Sequence, residues 1–336
     1  MRQRQLLGQR LTLRSIVVAA APMLLLTMSL YQMEAQSETR VYSIKPIPGD
    51  SYTHSGASYR FYIFWHQPGW YYGHLQYNGI VGIHTLYPRS GNGSCYFETP
   101  DSLGKSDIEF RYDLVAPQGY WGRLGDLEWL SYEWLRDSRS TVPNYVHLPI
   151  RIYVGNLVNG RIQDRGYLIY ERVYNYGAAP VPTDVWVFEE VVRTDMRVWQ
   201  NPIGGGNFFD AQPFSVWQSP EGYQPREGNR VGVRWNAESV VFGISIGAGS
   251  GWSGRFIGAV DNVQIRFRNG VAYHFNFEVR PVGDINGDGI VDDADLLLIL
   301  QLYGQSCSGC PYDPNEDGII DDADLLIVLM HFGNGG

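Results

Sequence analysis

The chain has 336 residues and a formal net charge of −9, more length than one average domain of about 150 residues needs. With 39 Gly, 23 Tyr, 14 Phe, 10 Trp and only 18% charged residues, it is too apolar and aromatic for a disordered chain and too rich in Gly and Tyr for a helical bundle. The acidic balance excludes a general nucleic-acid binder, and three Cys are too few for a disulfide scaffold. The charge is uneven. Positions 281–336 hold ten Asp, one Glu and no Lys or Arg, so everything before them is slightly basic. A short tail with more than the whole net charge is a unit with its own chemistry.

Residues 1–14 carry Arg2, Arg4, Arg10 and Arg14 and no acid, and Ser15 to Leu30 follow without a charge. That stretch is shorter than the roughly 20 residues of a membrane span. A basic start, an apolar run and polar residues after it read as a secretory signal over 1–35, with cleavage after Ala35. An uncleaved anchor is the alternative. Either reading places the rest of the chain outside the cell or at its surface.

From Tyr59 to Glu278, short apolar runs alternate with turn residues. Ile108, Phe110, Tyr112 and Leu114 alternate with Glu109, Arg111 and Asp113; Val263, Ile265 and Phe267 with Gln264 and Arg266; Tyr273, Phe275 and Phe277 with His274 and Asn276. Period two marks a strand with one buried face. Further strands are predicted over Arg60–Trp65, Leu127–Leu135, Leu148–Val154, Tyr167–Tyr174, Asp184–Glu190, Arg230–Trp235 and Val240–Ile246. A dozen short strands predict a mainly β fold over 40–280, an antiparallel β-sandwich or jelly roll. The runs Leu130 to Thr141, Gly166 to Glu171, Thr183 to Trp186 and Phe242 to Glu278 resemble secreted bacterial β-sandwich domains of the concanavalin-like type. That resemblance implies the fold and the location, and no particular ligand.

All ten Trp fall in this region. A flat ring can lie on the apolar face of a sugar. The densest patch is Trp65-His-Gln-Pro-Gly-Trp70-Tyr71-Tyr72, whose Pro-Gly centre predicts a turn. Trp65, Trp70, Tyr71 and Tyr72 are therefore candidate ligand-binding residues, against the plainer reading of core packing. Asp261-Asn262 is expected between strands, where calcium ligation stands against turn or strand-pairing chemistry. A glycosidase needs two facing carboxylates. Glu128, Glu133, Glu171, Glu189, Glu190 and Asp210 are available, but no motif pairs them, so catalytic residues stay unassigned. His66, His74 and His84 show no metal spacing.

The tail repeats itself. Asp284-Ile-Asn-Gly-Asp-Gly-Ile-Val-Asp-Asp-Ala-Asp295 recurs as Asp313-Pro-Asn-Glu-Asp-Gly-Ile-Ile-Asp-Asp-Ala-Asp324. Calcium takes six to eight oxygens, and a twelve-residue loop supplies them at fixed positions. Positions 1, 3 and 5 are Asp284, Asn286 and Asp288, then Asp313, Asn315 and Asp317. Position 7 offers the carbonyls of Ile290 and Ile319. Position 9 is Asp292 and Asp321, and position 12 is Asp295 and Asp324, where an ordinary EF-hand has Glu. Gly289 and Gly318 stand at the sharp turn. The set predicts two Ca²⁺ ions. A helix should follow each loop, Leu296–Leu302 and Leu325–Met330, stopped at Gly304 and Gly333.

Two loops in tandem, each with only its exiting helix and with Asp at position 12, resemble a dockerin over 283–334. The resemblance implies that calcium holds this small all-α module. It also implies that Asp293, Ala294, Asp322 and Ala323, at positions 10 and 11, help select a cohesin domain as partner. The best-known cohesin binders carry a hydroxyl pair there, so the partner type is open. Cys307 and Cys310 are expected to form a local disulfide, and Cys95 to be buried and free.

The sequence thus reads as a secreted, calcium-binding protein whose β-sandwich binds extracellular carbohydrate or surface and is anchored through a cohesin. A glycoside hydrolase or lyase of polysaccharide breakdown, and a structural envelope protein, are the alternatives.

Overall fold

The computed structural model describes residues 38–204, 208–224, 232–249, 251–307 and 310–335; the expected signal segment, 1–35, lies outside them. Among the described residues the strands are β1 Glu38–Pro46, β2 Tyr52–His54, β3 Arg60–Ile63, β4 Trp70–Gln76, β5 Gly79–His84, β6 Ser94–Thr99, β7 Lys105–Arg111, β8 Gly122–Arg123, β9 Leu127–Arg136, β10 Ile150–Val158, β11 Arg161–Tyr170, β12 Trp186–Glu190, β13 Arg197–Pro202, β14 Phe208–Pro213, β15 Val240–Ala248, β16 Phe256–Phe267 and β17 Ala272–Arg280. They form two sheets. One runs β1-β17-β16-β6-β5-β2, with β9 on the other flank of β16 and β12 beyond it; the second runs β14-β13-β11-β10-β15-β7-β4-β3, with β8 on β15.

The alternation decides which side chains meet between the sheets. Ile150, Ile152 and Val154 of β10 and Ile108 and Phe110 of β7 join one core with Trp134, Trp217, Trp235 and Phe97. The intervening residues, Arg151 and Tyr153 on β10 and Asp107, Glu109 and Arg111 on β7, stand on the outer face of the second sheet.

Several expectations need correction. The sandwich is not wholly antiparallel: β1 pairs in parallel with β17, Glu38 opposite His274 and Tyr42 opposite Glu278. The two strands lie at opposite ends of the domain sequence, so no tight turn dictates their direction. Leu114 lies outside β7, because the chain turns at Tyr112 into α1 (Tyr112–Val115); Tyr174 likewise falls in α2 (Val173–Tyr176). Residues 232–235 form no strand, yet the buried Trp235 donates its Nε1–H to the Asp164 carbonyl at 2.9 Å. A further short helix, α3, spans Phe214–Trp217.

Asp261-Asn262 lies within β16, not between strands. It sits at the bulge where the neighbour of β16 changes from β6 to β17. The buried Asp261 carboxylate accepts the Phe277 and Ser90 amides at 2.9 and 3.1 Å. Asn262, with φ 51°, donates to Ser90 Oγ and Glu133 Oε2. Strand-pairing chemistry accounts for both residues.

The tail packs against the sandwich, and residues 38–336 form one unit. Its helices are α4 Asp293–Leu302 and α5 Asp322–His331. Asp292 and Asp321 cap them, and in each the third helical residue, Asp295 or Asp324, reaches back to the cap amide. Gly304 and Gly333, with φ 80° and 82°, end them. Ile285, Val291, Ile299, Ile320 and Val328 make a small separate core. Cys307 is disulfide-bonded to Cys310, and Cys95 is buried and free.

Candidate functional site

A groove opens on the outer face of the second sheet. It is lined by aromatic rings of Tyr59, Tyr167, Trp199 and Trp252 and by His74, Asp107, Arg151, Glu171 and Asn201. Adjacent strands bring these residues together: β4, β7, β10, β11 and β13 are neighbours in the sheet or one strand removed. Trp199 donates its Nε1–H to Glu171 Oε2 at 3.0 Å, and burial pushes the Glu171 carboxyl up despite that bond.

At one end of the groove, Arg151 Nη1 lies 3.0 Å from Asp107 Oδ1. His74 Nδ1 lies 2.9 Å from Asp107 Oδ2 and 2.8 Å from Glu109 Oε1. The Tyr71 and Tyr153 hydroxyls both donate to Glu109 Oε2, and Tyr167 donates to Tyr153 at 3.0 Å. Burial works against a charged His74 ring, but Asp107 and Glu109 hold its pKa up at about 10.

The sequence-chosen aromatic patch is elsewhere. Trp70, Tyr71 and Tyr72 are 4%, 6% and 0% exposed. Trp70 packs edge-on against Phe110, Phe275 and Phe277, and Tyr72 donates to the buried Asp50. None of the three offers a ring face to a sugar. The Pro-Gly turn exists, but it only leads into β4, which buries the rings that follow. Trp65 meets the tail: its ring lies 5.8 Å from that of Tyr312 and 5.6 Å from the Arg280 guanidinium. The adjoining turn is pinned to β1, with Gln67 bonded to the Tyr42 amide and the Arg40 carbonyl.

Four of the six candidate acids are held in ion pairs: Glu128 with Arg266, Glu133 with Arg89, Glu189 with Arg172, and Glu190 with Arg193. Asp210 accepts from Tyr223. Only Glu171 of that set lines the groove.

In the tail, Asp284 accepts the amides of Gly287 and Gly289, and Asp295 those of Ile285, Asn286 and Asp292. The second loop repeats the pattern: Asp313 accepts from Gly318, and Asp324 from Asn315 and Asp321. Asn286 and Asn315 each donate to the Asp two residues on, Asp288 and Asp317. Asp284, Asp295, Asp313 and Asp324 are buried, while Asp292, Asp293, Ala294, Asp321, Asp322 and Ala323 stand at the helix starts. Ile290 and Ile319 are exposed, each in an isolated bridge, to Gly335 and Ser306. Burial pushes the Asp284 carboxyl up to about 6 and raises that of Asp324.

The loops differ where the sandwich touches them. A Cβ at Gly287 would strike the His66 ring, and one at Gly289 would strike Tyr42; at Gly318 it would meet nothing within 4 Å. Position 4 is left-handed in both loops, φ 79° at Gly287 and 59° at Glu316. Loop one needs glycine there for clearance as well as for backbone.

No family model and no curated protein matches the chain. Among solved structures, a family 11 carbohydrate-binding module from Clostridium thermocellum, in complex with a β-1,3-1,4-mixed-linked tetrasaccharide, is 14% identical. That match covers 65% of this chain and 88% of that one at a TM-score of 0.30. A family 30 carbohydrate-binding module of a cellulosomal cellulase from the same organism is 8% identical, over 68% of this chain and 96% of that one, at 0.33. A loop-swap mutant of Necallimastix patriciarum Xyn11A is 11% identical, over 65% and 99%, at 0.28. Likeness at these TM-scores decides nothing about this chain's ligand.

Proposed function

We propose that the protein is a secreted carbohydrate-recognising β-sandwich, anchored through a calcium-folded, dockerin-like tail to a cohesin partner. The observation that carries the anchoring half is the repeat in exposure along the tail. With the two acidic repeats laid over one another, the same positions stay outside: Leu297 and Leu326 are both 55% exposed, Leu300 and Leu329 are 57% and 51%, and Tyr303 pairs with Phe332. Apolar side chains kept at matching places on two short helices suit a protein partner better than solvent. Asp293, Ala294, Asp322 and Ala323 lie at the starts of the same helices.

Calcium suits the loops on the chemistry of their donors. At its ligand positions each loop supplies four carboxylates and an Asn. The Oδ1 atom of buried Asp313 has no hydrogen-bond partner among the described residues, a cost that a cation would remove. Asp284, Asn286, Asp288, Ile290, Asp292 and Asp295 would hold one ion, and Asp313, Asn315, Asp317, Ile319, Asp321 and Asp324 the other. Bound calcium supplies the positive charge that lets these carboxylates crowd, and so part of the folding energy.

For the sandwich, the groove supports a sugar ligand. Flat rings for apolar sugar faces stand beside charged and amide groups for hydroxyls, in a concavity on a rigid sheet. The deciding experiment uses the full, calcium-loaded chain. It is tested for retention on soluble and insoluble polysaccharides, for release of reducing sugar, and for capture by immobilised cohesins. Retention without release, together with capture lost in Leu297→Asp/Leu326→Asp, is expected. Sugar release would make the protein an enzyme. No retention and no capture would overturn both halves.

A further inference from the structure

We propose that His74 Nδ1, Asp107 Oδ2 and Glu109 Oε1 form a site for one divalent transition-metal ion of the zinc class at the end of the groove. These atoms all lie within 4.8 Å of one another. An imidazole nitrogen and two carboxylate oxygens are a donor set suited to zinc and its neighbours rather than to calcium, which prefers oxygen alone.

The hydrogen bonding leaves a gap that such an ion would fill. One ring nitrogen faces two carboxylates, and its single N–H serves Asp107. Glu109 is fully buried, and its Oε1 has no hydrogen-bond partner although it lies 2.8 Å from that nitrogen. The charged ring balances both carboxylates, and a divalent ion that displaced its Nδ1 proton would give Glu109 Oε1 the direct partner it lacks.

The remaining oxygens are already occupied in the way an outer ligand shell requires. Arg151 holds Asp107 Oδ1, and two phenols hold Glu109 Oε2. Each carboxylate is thereby turned so that its other oxygen faces His74. The backbone also concentrates here. His74 has φ 50° and lies in a bulge between Gly73 and Gln76. A Cβ at Gly73 would lie 2.5 Å from Glu109 Oε1, and one at Gly247 would overlap Asp107 Oδ1. Glycine at both positions leaves the carboxylates room. Zinc–ligand bonds of about 2.1 Å require the trio to open by roughly half an ångström, and His74, on a bulge and partly exposed, is the member free to move. Because His74 and Asp107 line the groove, the ion's open position faces it. There it would take water or, on the carbohydrate reading above, a sugar hydroxyl.

The test uses zinc chloride alone, with no sugar, titrated into the calcium-saturated full chain by calorimetry. His74→Asn is the comparison, since Asn tolerates the left-handed backbone. The expected result is one more equivalent of zinc in the parent chain than in the variant, with at least about tenfold affinity lost at that site. Equal zinc uptake by both, or none by either, overturns the proposal and leaves the trio as an ion cluster around a protonated imidazole. Should the variant misfold, nitrogen NMR of the parent chain decides: zinc must shift the Nδ1 resonance of His74, and an unmoved resonance rejects the site. Sugar binding can fail without touching this result.

Discussion

Arg280 lies over the ring of Trp65 at 5.6 Å, and its guanidinium donates to the Asp284 carbonyl, the first residue of the first acidic loop. The same group holds the Ile44 carbonyl of β1 at 2.8 Å. One buried cation thus ties the last strand of the sandwich, its first strand and the tail together. Trp65→Ala should lower stability by about 2–3 kcal/mol through lost packing while leaving polysaccharide retention unchanged. Denaturant unfolding and a binding assay on the same variant check both halves; lost retention with intact stability would return Trp65 to the ligand site.

Trp252→Ala should weaken sugar binding by about tenfold, the scale of one aromatic contact, at a smaller cost in stability than a core ring, since Trp252 is only partly buried against Phe256. Trp70→Ala should do the reverse, costing about 3–5 kcal/mol of stability. Calorimetric titration and thermal melts separate the two. A Trp70 variant that folds normally but no longer binds would contradict its place in the core.

Chelation should release the tail helices while the sheets persist. Hydrogen exchange should quicken over Asp293–Leu302 and Asp322–His331 and stay slow in β10 and β15, because the metal stabilises only what holds it. Asp295→Ala with Asp324→Ala should reproduce this at saturating calcium. Unchanged protection in the helices would end the calcium assignment.

Asp261 supplies a pH test. Burial pushes its carboxyl up to about 7, above the ordinary value of 3.8. The folded state therefore holds a proton that the unfolded chain gives up. This group's contribution is present below about pH 4 and is lost as pH rises towards 7. His66 and His147, pushed down to about 4 and 3 by burial, tilt the curve oppositely in part of that window, so the comparison with Asp261→Asn is the informative quantity. From pH 4 to 7 the variant should gain on the parent chain by up to about 1.4 kcal/mol per pH unit. A difference independent of pH would show that Asp261 is ionised throughout.

Glu316→Gly should stabilise the calcium-loaded tail by up to about 1 kcal/mol, since a residue with a side chain is held at φ 59° there. The melting temperature of the tail measures it, and a fall would show that the Glu316 side chain holds the loop by a contact of its own.

Alternating and apolar runs revealed nine of the described strands and missed β1, β2, β4, β5, β6, β8, β13 and β14, while the repeat from Asp284 to Asp324 revealed both acidic loops, because these are short-range patterns. The groove was harder to see. Its residues come from five strands and from the loops that carry Tyr59, Glu171 and Trp252, and only sheet order brings Asp107 beside Arg151 and Trp199 beside Glu171. A local clue did exist: Asp107, Glu109 and Arg111 occupy alternate positions of a strand whose other face is core, which marks a charged outer face. Counting aromatics misled at Trp70 and Tyr72, since density along the chain does not say which face a ring takes. The direction of β1 was invisible to any local signal, because its partner β17 stands at the far end of the domain sequence.

That direction has a mechanical consequence. β17 lies between β1 and β16 and leads into the tail at Arg280. A pull on the tail, with the sandwich held on an immobile surface, drags β17 lengthwise past both neighbours. The load then falls on the two hydrogen-bond ladders in shear, many bonds at once, rather than unzipping them singly. Since β1 runs alongside β17, tension between Glu38 and the tail strains the same junction in the same way, and the domain meets traction at its most resistant seam.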